Sequence, residues 1–153
     1  MKQLLQAILL AGAMIGLRSE VKAQVQDPAT WTYEVKKKSA TEYDLVFHLR
    51  LQAGFHIWAL NPGGDGLQIV PSFTLDKNAD LELVGKVHEK GKKTTTTMEG
   101  IDGKVNYFSG TVDYVQTVKV KKPLKVTGKH EYQVCNDVMC LPPRDKKFEF
   151  DVK

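Results

Sequence analysis

The run Glu42-Tyr43-Asp44-Leu45-Val46-Phe47-His48-Leu49-Arg50-Leu51-Gln52 sets the class of the fold. Tyr43, Leu45, Phe47, Leu49 and Leu51 alternate with Asp44, Val46, His48 and Arg50, and this period of two is that of a half-buried strand. The pattern continues on both sides. Residues 31–37 alternate ahead of it, with a turn around 39–41, and residues 55–60 follow Gly54. Asn61-Pro62-Gly63-Gly64-Asp65-Gly66 then forbids regular structure. Strand-like runs resume at 68–75, 81–87, 107–120, 124–135 and 147–152, punctuated by Gly110 and Pro123. Seven or more short strands with turn signals at this spacing predict an all-β protein, a two-sheet antiparallel β-sandwich. Residues 88–103 resist the strand reading. Lys90-Gly91-Lys92-Lys93, four threonines and Met98-Glu99-Gly100-Ile101-Asp102-Gly103 predict a mobile loop or an irregular hairpin tip.

The amino terminus is of another kind. Lys2 precedes an apolar run over 4–17, and Val21-Lys22-Ala23 offers small or aliphatic groups where a signal peptidase reads, so residues 1–23 are expected to be a cleavable export signal. The run falls short of the about 20 residues of a spanning helix. Arg18, Glu20 and Lys22 make the cleavage region unusually charged, and an uncleaved anchor is the alternative. With no cysteine near the cut, a lipid-modified terminus is not expected. Removing 1–23 leaves 19 basic and 17 acidic side chains, a net charge of +2. That balance gives no reason to expect a nucleic-acid partner, and the scattered lysines read as a solvated rim. The expected mature domain, residues 24–153, is long enough for one core.

Both cysteines of the chain, Cys135 and Cys140, stand in Glu131-Tyr132-Gln133-Val134-Cys135-Asn136-Asp137-Val138-Met139-Cys140-Leu141-Pro142-Pro143-Arg144. The ring they could close is short, and on the chain-entropy account it would stabilise the fold by only about 2 kcal/mol. A bridge of so little mechanical value is more plausibly kept for reactivity. Asn136 and Asp137 are turn formers, and Pro142 and Pro143 stiffen the chain beyond Cys140, so the sulfurs should meet across a tight reversal at a sheet edge. A purely structural staple, or two free thiols in a reducing compartment, are the alternatives. A zinc site lacks the four ligands at suitable spacing, so no metal and no cofactor is expected. The thioredoxin motif has two intervening residues in a βαβ setting, which does not occur here. Phosphate-binding and serine-hydrolase signatures are also missing.

Taken together, Tyr132-Gln133-x-Cys135, Cys140-x-Pro142-Pro143 and Gly54-Phe55-His56-Ile57-Trp58 resemble the amino-terminal periplasmic domain of the thiol:disulfide interchange protein DsbD. The resemblance covers roughly 43–153. It implies an immunoglobulin-like sandwich in the periplasm and a redox pair, Cys135 and Cys140. Such a pair takes electrons from a membrane-embedded donor and passes them to exported thioredoxin-like oxidoreductases, including cytochrome c maturation factors. It also implies a cap loop over the pair, around 92–104, with Glu99, Ile101 and Asp102 as its candidate residues. Of the family's two pair-facing aromatics, His56 replaces one and Trp58 matches the other. Three departures stand out. Four residues separate the cysteines where the best-known members have five, the acidic and aromatic cap signature is not legible, and neither the membrane domain nor the thioredoxin-like domain is expected in a chain that stops at Lys153. The electron donor is therefore expected in trans, and the domain itself as a monomer.

By family analogy Cys140 attacks the partner's disulfide and Cys135 resolves the mixed disulfide. His56 is the neighbouring group able to exchange a proton near neutral pH, although a strand-face histidine with a backbone partner is the plainer reading. Trp58 and Phe55 are expected to pack and to exclude water from the sulfurs, Tyr132 to belong first to the core and second to the pocket wall, and Met139 to pack under the cap. Two other classes of function remain open. One is a non-catalytic sandwich used for protein contacts. The other is a Cu(I) module using Cys135, Met139 and Cys140 with His56 or His88, since thiolate and thioether suit that ion.

Overall fold

A computed structural model describes residues 27–153, and the expected export signal lies outside them. Among the described residues nine strands form two sheets. They are β1 (Ala29–Lys37), β2 (Glu42–Leu51), β3 (His56–Gly63), β4 (Ser72–Leu75), β5 (Leu81–Thr97), β6 (Lys104–Val120), β7 (Leu124–Tyr132), β8 (Val134–Cys135) and β9 (Arg144–Val152). The larger sheet runs β1-β2-β6-β3-β8, with β5 also paired to β6, and the smaller runs β4-β7-β9. Every pairing is antiparallel. The all-β antiparallel sandwich expected from the alternation, in the immunoglobulin-like form that the resemblance implies, is the fold observed.

The core lies between the sheets and follows from the period-two pattern. Leu45, Phe47, Leu49 and Leu51 of β2 are buried, as are Val112, Tyr114 and Val118 of β6, and they meet Val126, Phe148, Phe150 and Val152 from the smaller sheet. Much of the contact is aromatic. The Phe47 ring stands edge-on to Phe148 at 4.8 Å and to Phe150 at 5.1 Å, and Trp31 lies 5.2 Å from Tyr132. His130 is fully enclosed, with its Nε2 2.9 Å from the Tyr33 hydroxyl. Asp27 ties the two sheets together by accepting hydrogen bonds from the Tyr132 hydroxyl of β7 at 2.5 Å and the Ala29 amide of β1 at 3.1 Å.

Four boundaries differ from the sequence reading, each for a local reason. The stretch expected as a loop over 88–103 is mostly strand. β5 continues to Thr97 and pairs with β6 down to Lys104, leaving only 98–103 as a hairpin tip. The β-branched threonines favour the pleated backbone, and that preference outweighs the glycine and lysines before them. The run 68–75 holds a strand only over its last four residues. Ahead of Pro71, Asp65 accepts from the Leu67 amide at 3.1 Å and the Gln68 side chain at 2.8 Å, a local bonding pattern that competes with a ladder. β3 reaches Gly63 across Asn61-Pro62, by means of a register shift after Trp58. Finally, 124–135 is two strands. The chain leaves the smaller sheet after Tyr132 and joins the larger one at Val134.

Candidate functional site

That sheet switch sets up the cysteine pair. β8 is an edge strand whose one neighbour is β3, with Cys135 opposite His56 and Val134 opposite Ile57. Directly opposed residues place their side chains on the same face. Beyond Cys135 the chain turns back at once. The Asn136 carboxamide oxygen accepts from the amides of Val138 at 2.9 Å and Met139 at 2.8 Å, while the Asn136 amide donates to the Met139 carbonyl at 2.9 Å. The Leu141 amide then donates to Val134 at 2.9 Å, and the Gln133 side chain donates to the Leu141 carbonyl at the same distance. The reversal brings Cys135 and Cys140 into an isolated antiparallel bridge with Cα atoms 3.9 Å apart, joined as a disulfide. The two cysteines are unequal in access, because Cys135 is 2 % exposed while Cys140 is an exposed residue.

Beneath the bridge is a small core separate from the main one, made of Trp58, Val105 and Cys135 with Val70, Met98, Ile101 and Tyr107 against it. A cleft of about 470 Å³ opens above it. Its walls include His56, Trp58, both cysteines and Met139, together with Met98, Glu99 and Ile101 from the hairpin tip. A second cleft shares Trp58, Ile101 and Cys140 and is bounded on its far side by Leu67 and Ile69. Apolar exposure concentrates here. Leu67 is 83 % exposed, Ile69 46 %, Val138 89 % and Met139 58 %, and of the large exposed apolar side chains among the described residues only Leu83 lies elsewhere.

The hairpin tip is anchored at its base. The Gly64 amide donates to the Lys104 carbonyl at 2.9 Å, and the Asn106 side chain donates to the Asn61 carbonyl at 3.0 Å. Gly63 and Gly64 both have positive φ, of 68° and 61°. A Cβ on Gly63 would collide with the Lys104 carbonyl oxygen, and one on Gly64 would come within 2.8 Å of the Ile101 side chain. The Asn-Pro-Gly-Gly run is therefore a seat for the hairpin, and glycine is what the close approach requires.

His56 is 7 % exposed and wedged between Tyr107, with ring centroids 4.9 Å apart, and Trp58 at 5.2 Å. Its Nε2 is buried without a hydrogen-bond partner. Burial holds its pKa below the ordinary histidine range, and the Asp137 carboxylate offsets part of that effect.

Among the residues singled out from sequence, the structure gathers His56, Trp58, Glu99, Ile101, Cys135, Met139 and Cys140 around one cleft. Tyr132 does not line it. As the last residue of β7 it faces the main core and hydrogen-bonds Asp27, so it belongs to the packing and not to the cleft wall. Phe55 packs on the main core, and Asp102 is outside the cleft lining. His88 stands opposite Val115, well along the β5–β6 ladder, and cannot share a soft-metal ligand set with the cysteines. Sequence reasoning missed Met98 and Tyr107. Tyr107 comes to the site because it pairs with Trp58 on one side and Thr94 on the other, a register that no local pattern reveals.

An immunoglobulin-like sandwich with a disulfide on its edge strand defines the class, a β domain built around a disulfide-forming cysteine pair. The sequence model of the family described as "Thiol:disulfide interchange protein DsbD, N-terminal" matches residues 20–152, and the chain belongs to that family. Family and fold support thiol–disulfide exchange as the general chemistry. Curated protein sequences give no significant match. Among solved structures the chain is similar to the N-terminal periplasmic domain of ScsB from Proteus mirabilis, with a TM-score of 0.62 and 17 % identity. That alignment covers 82 % of this chain and 47 % of the other, so this chain spans about half of its length. It is also similar to the reduced DsbD N-terminal domain of Neisseria meningitidis, with a TM-score of 0.52, 16 % identity and coverage of 80 % and 85 %. At these identities the likeness concerns the fold.

Proposed function

We propose that this chain is an exported electron-relay domain. Its Cys135–Cys140 pair accepts reducing equivalents from a membrane-embedded donor and passes them to periplasmic thioredoxin-like oxidoreductases, including those serving cytochrome c maturation. The observation that carries the reading is the asymmetry of the pair, with one cysteine exposed and the other buried on an edge strand. In-line attack needs an accessible sulfur, and Cys140 is the one a partner thiolate can reach. In the reducing direction the Cys140 thiolate attacks the partner's disulfide, and Cys135 closes the ring and releases the reduced partner.

The surroundings favour a protein partner over a small thiol. Leu67, Ile69, Val138 and Met139 form an apolar rim continuous with Cys140, the kind of surface that a folded partner covers when it docks. The hairpin tip, through Glu99 and Ile101, acts as the cap beside the pair, and Trp58 keeps water from the inner sulfur. Family membership supports export to the periplasm. The test is a redox titration of the intact domain in glutathione buffers, with free thiols counted under native conditions. An exchange domain equilibrates while folded. A bond that stays closed at every glutathione ratio until the fold is lost would establish a structural staple instead.

A further inference from the structure

Resting on that reading, the structure assigns His56 as the proton acceptor for Cys135 in the step that resolves the mixed disulfide. Cys140 needs no such help, because solvent can take its proton. Cys135 is enclosed, and its thiol must ionise where water is scarce. His56 is its cross-strand partner and lines the same cleft. The imidazole is held between Tyr107 and Trp58, so its orientation is fixed. Its Nε2 carries no hydrogen bond, which leaves it free for a thiol. The plainer expectation is a strand-face histidine with a backbone partner, and no such partner reaches the Nε2 of this ring.

The groups facing His56 are few. Asp137 comes from the reversal, Glu99 from the hairpin tip and Tyr107 from β6. On β5, Lys93 stands opposite Phe108 and interacts with Glu89, away from the imidazole. The depressed pKa keeps His56 in its base form at neutral pH, as an acceptor requires. The step balances. Cys140 thiolate displaces one sulfur of the partner's disulfide, giving a Cys140–partner bond and a partner thiolate. Cys135 passes its proton to His56, its thiolate attacks the Cys140 sulfur, the Cys135–Cys140 bond forms, and the second partner thiolate leaves. Two electrons move from the domain to the partner. In the opposite direction, protonated His56 returns the proton to Cys135 as it leaves.

The test uses the reduced full chain and the aromatic disulfide 5,5′-dithiobis(2-nitrobenzoate). Attack by Cys140 releases the first coloured thiolate and ring closure by Cys135 the second, so two kinetic phases separate the two steps. We expect H56Q and H56F to lower the ratio of second-phase to first-phase rate about 10²-fold at neutral pH. In both variants the second phase should climb about tenfold per pH unit towards the ordinary thiol pKa near 8.5, whereas the wild type is flat over that range. The inference is overturned if both variants keep the wild-type ratio and pH profile. It is equally overturned if only H56F is slow, since H56Q is just as unable to titrate and the defect would then be one of packing. A wild type that shows no second phase would instead refute the exchange reading itself.

Discussion

Reducing the Cys135–Cys140 bond should cost little stability, and the amount follows from the ring it closes. The cysteines are five positions apart. On the chain-entropy relation such a ring restricts the unfolded chain by about 7 cal/mol/K, or about 2 kcal/mol at room temperature. Domains commonly have about 5–15 kcal/mol in hand, so the reduced protein should remain folded. The main core between the sheets contains no cysteine, and Cys135 packs in the small cluster around Trp58 and Val105. Thermal and urea unfolding with and without a reductant would measure the difference. We expect the midpoint temperature to fall by about 6–10 °C on reduction, with near-ultraviolet dichroism retained below it. By linkage, the folded state lowers the potential of this disulfide by about 45 mV relative to the unfolded chain, which is the same 2 kcal/mol for a two-electron couple. A loss well above 4 kcal/mol, or a reduced domain that is already unfolded, would refute the reasoning and make the bridge a structural one.

Three further outcomes follow from specific residues. Cys135→Ser should accumulate a mixed disulfide with a thioredoxin-like partner, while Cys140→Ser should fold and form none, as non-reducing electrophoresis would show. His130 is enclosed by aromatic rings, and burial lowers its pKa from 6.5 to about 4, with Lys146 adding to the effect. Its folded pKa is depressed, so the stability tied to the neutral imidazole is present above pH 6.5 and drains away as the pH falls through about 4. The loss amounts to about 3 kcal/mol by pH 4, and His130→Phe should remove that share of the acid sensitivity in urea unfolding. Gly63→Ala must hold a left-handed backbone and push against the Lys104 carbonyl, and should cost about 2 kcal/mol or more by the same assay.

The sandwich was legible because its strands carry their own signal. The alternation through Tyr43–Leu51 fixes which face is buried, and β2 lies in the larger sheet with that face on the core. The cysteine reversal was legible for the same reason, since Asn136 makes the local bonds that its side chain suggests. What stayed hidden depends on register between distant strands. Thr94–Thr97 read as loop until their pairing with 104–107 is known, and Tyr107 reaches the cleft only through that ladder. Tyr132 is a mixed case. Its first reading, as core, is what the structure shows, while the second, as pocket wall, fails because the chain changes sheets between Tyr132 and Cys135.

This division between two cores gives the proposed relay its physical basis. A redox centre that opens and closes must not take its scaffold with it, and here the disulfide is coupled to a satellite cluster with only three fully buried members. The hairpin beside it is built on two very long strands, but its tip rests on that cluster through little more than Met98 and Ile101. Displacing the tip therefore exposes two half-buried side chains and leaves the β5–β6 ladder whole, at a cost of about 1–3 kcal/mol in apolar area. A docking partner that covers Leu67, Ile69, Val138 and Met139 gains comparable area in return. If the tip acts as the proposed cap, its opening would be driven by the partner's own surface, and the seat at Gly63 and Gly64 would return it when the partner leaves.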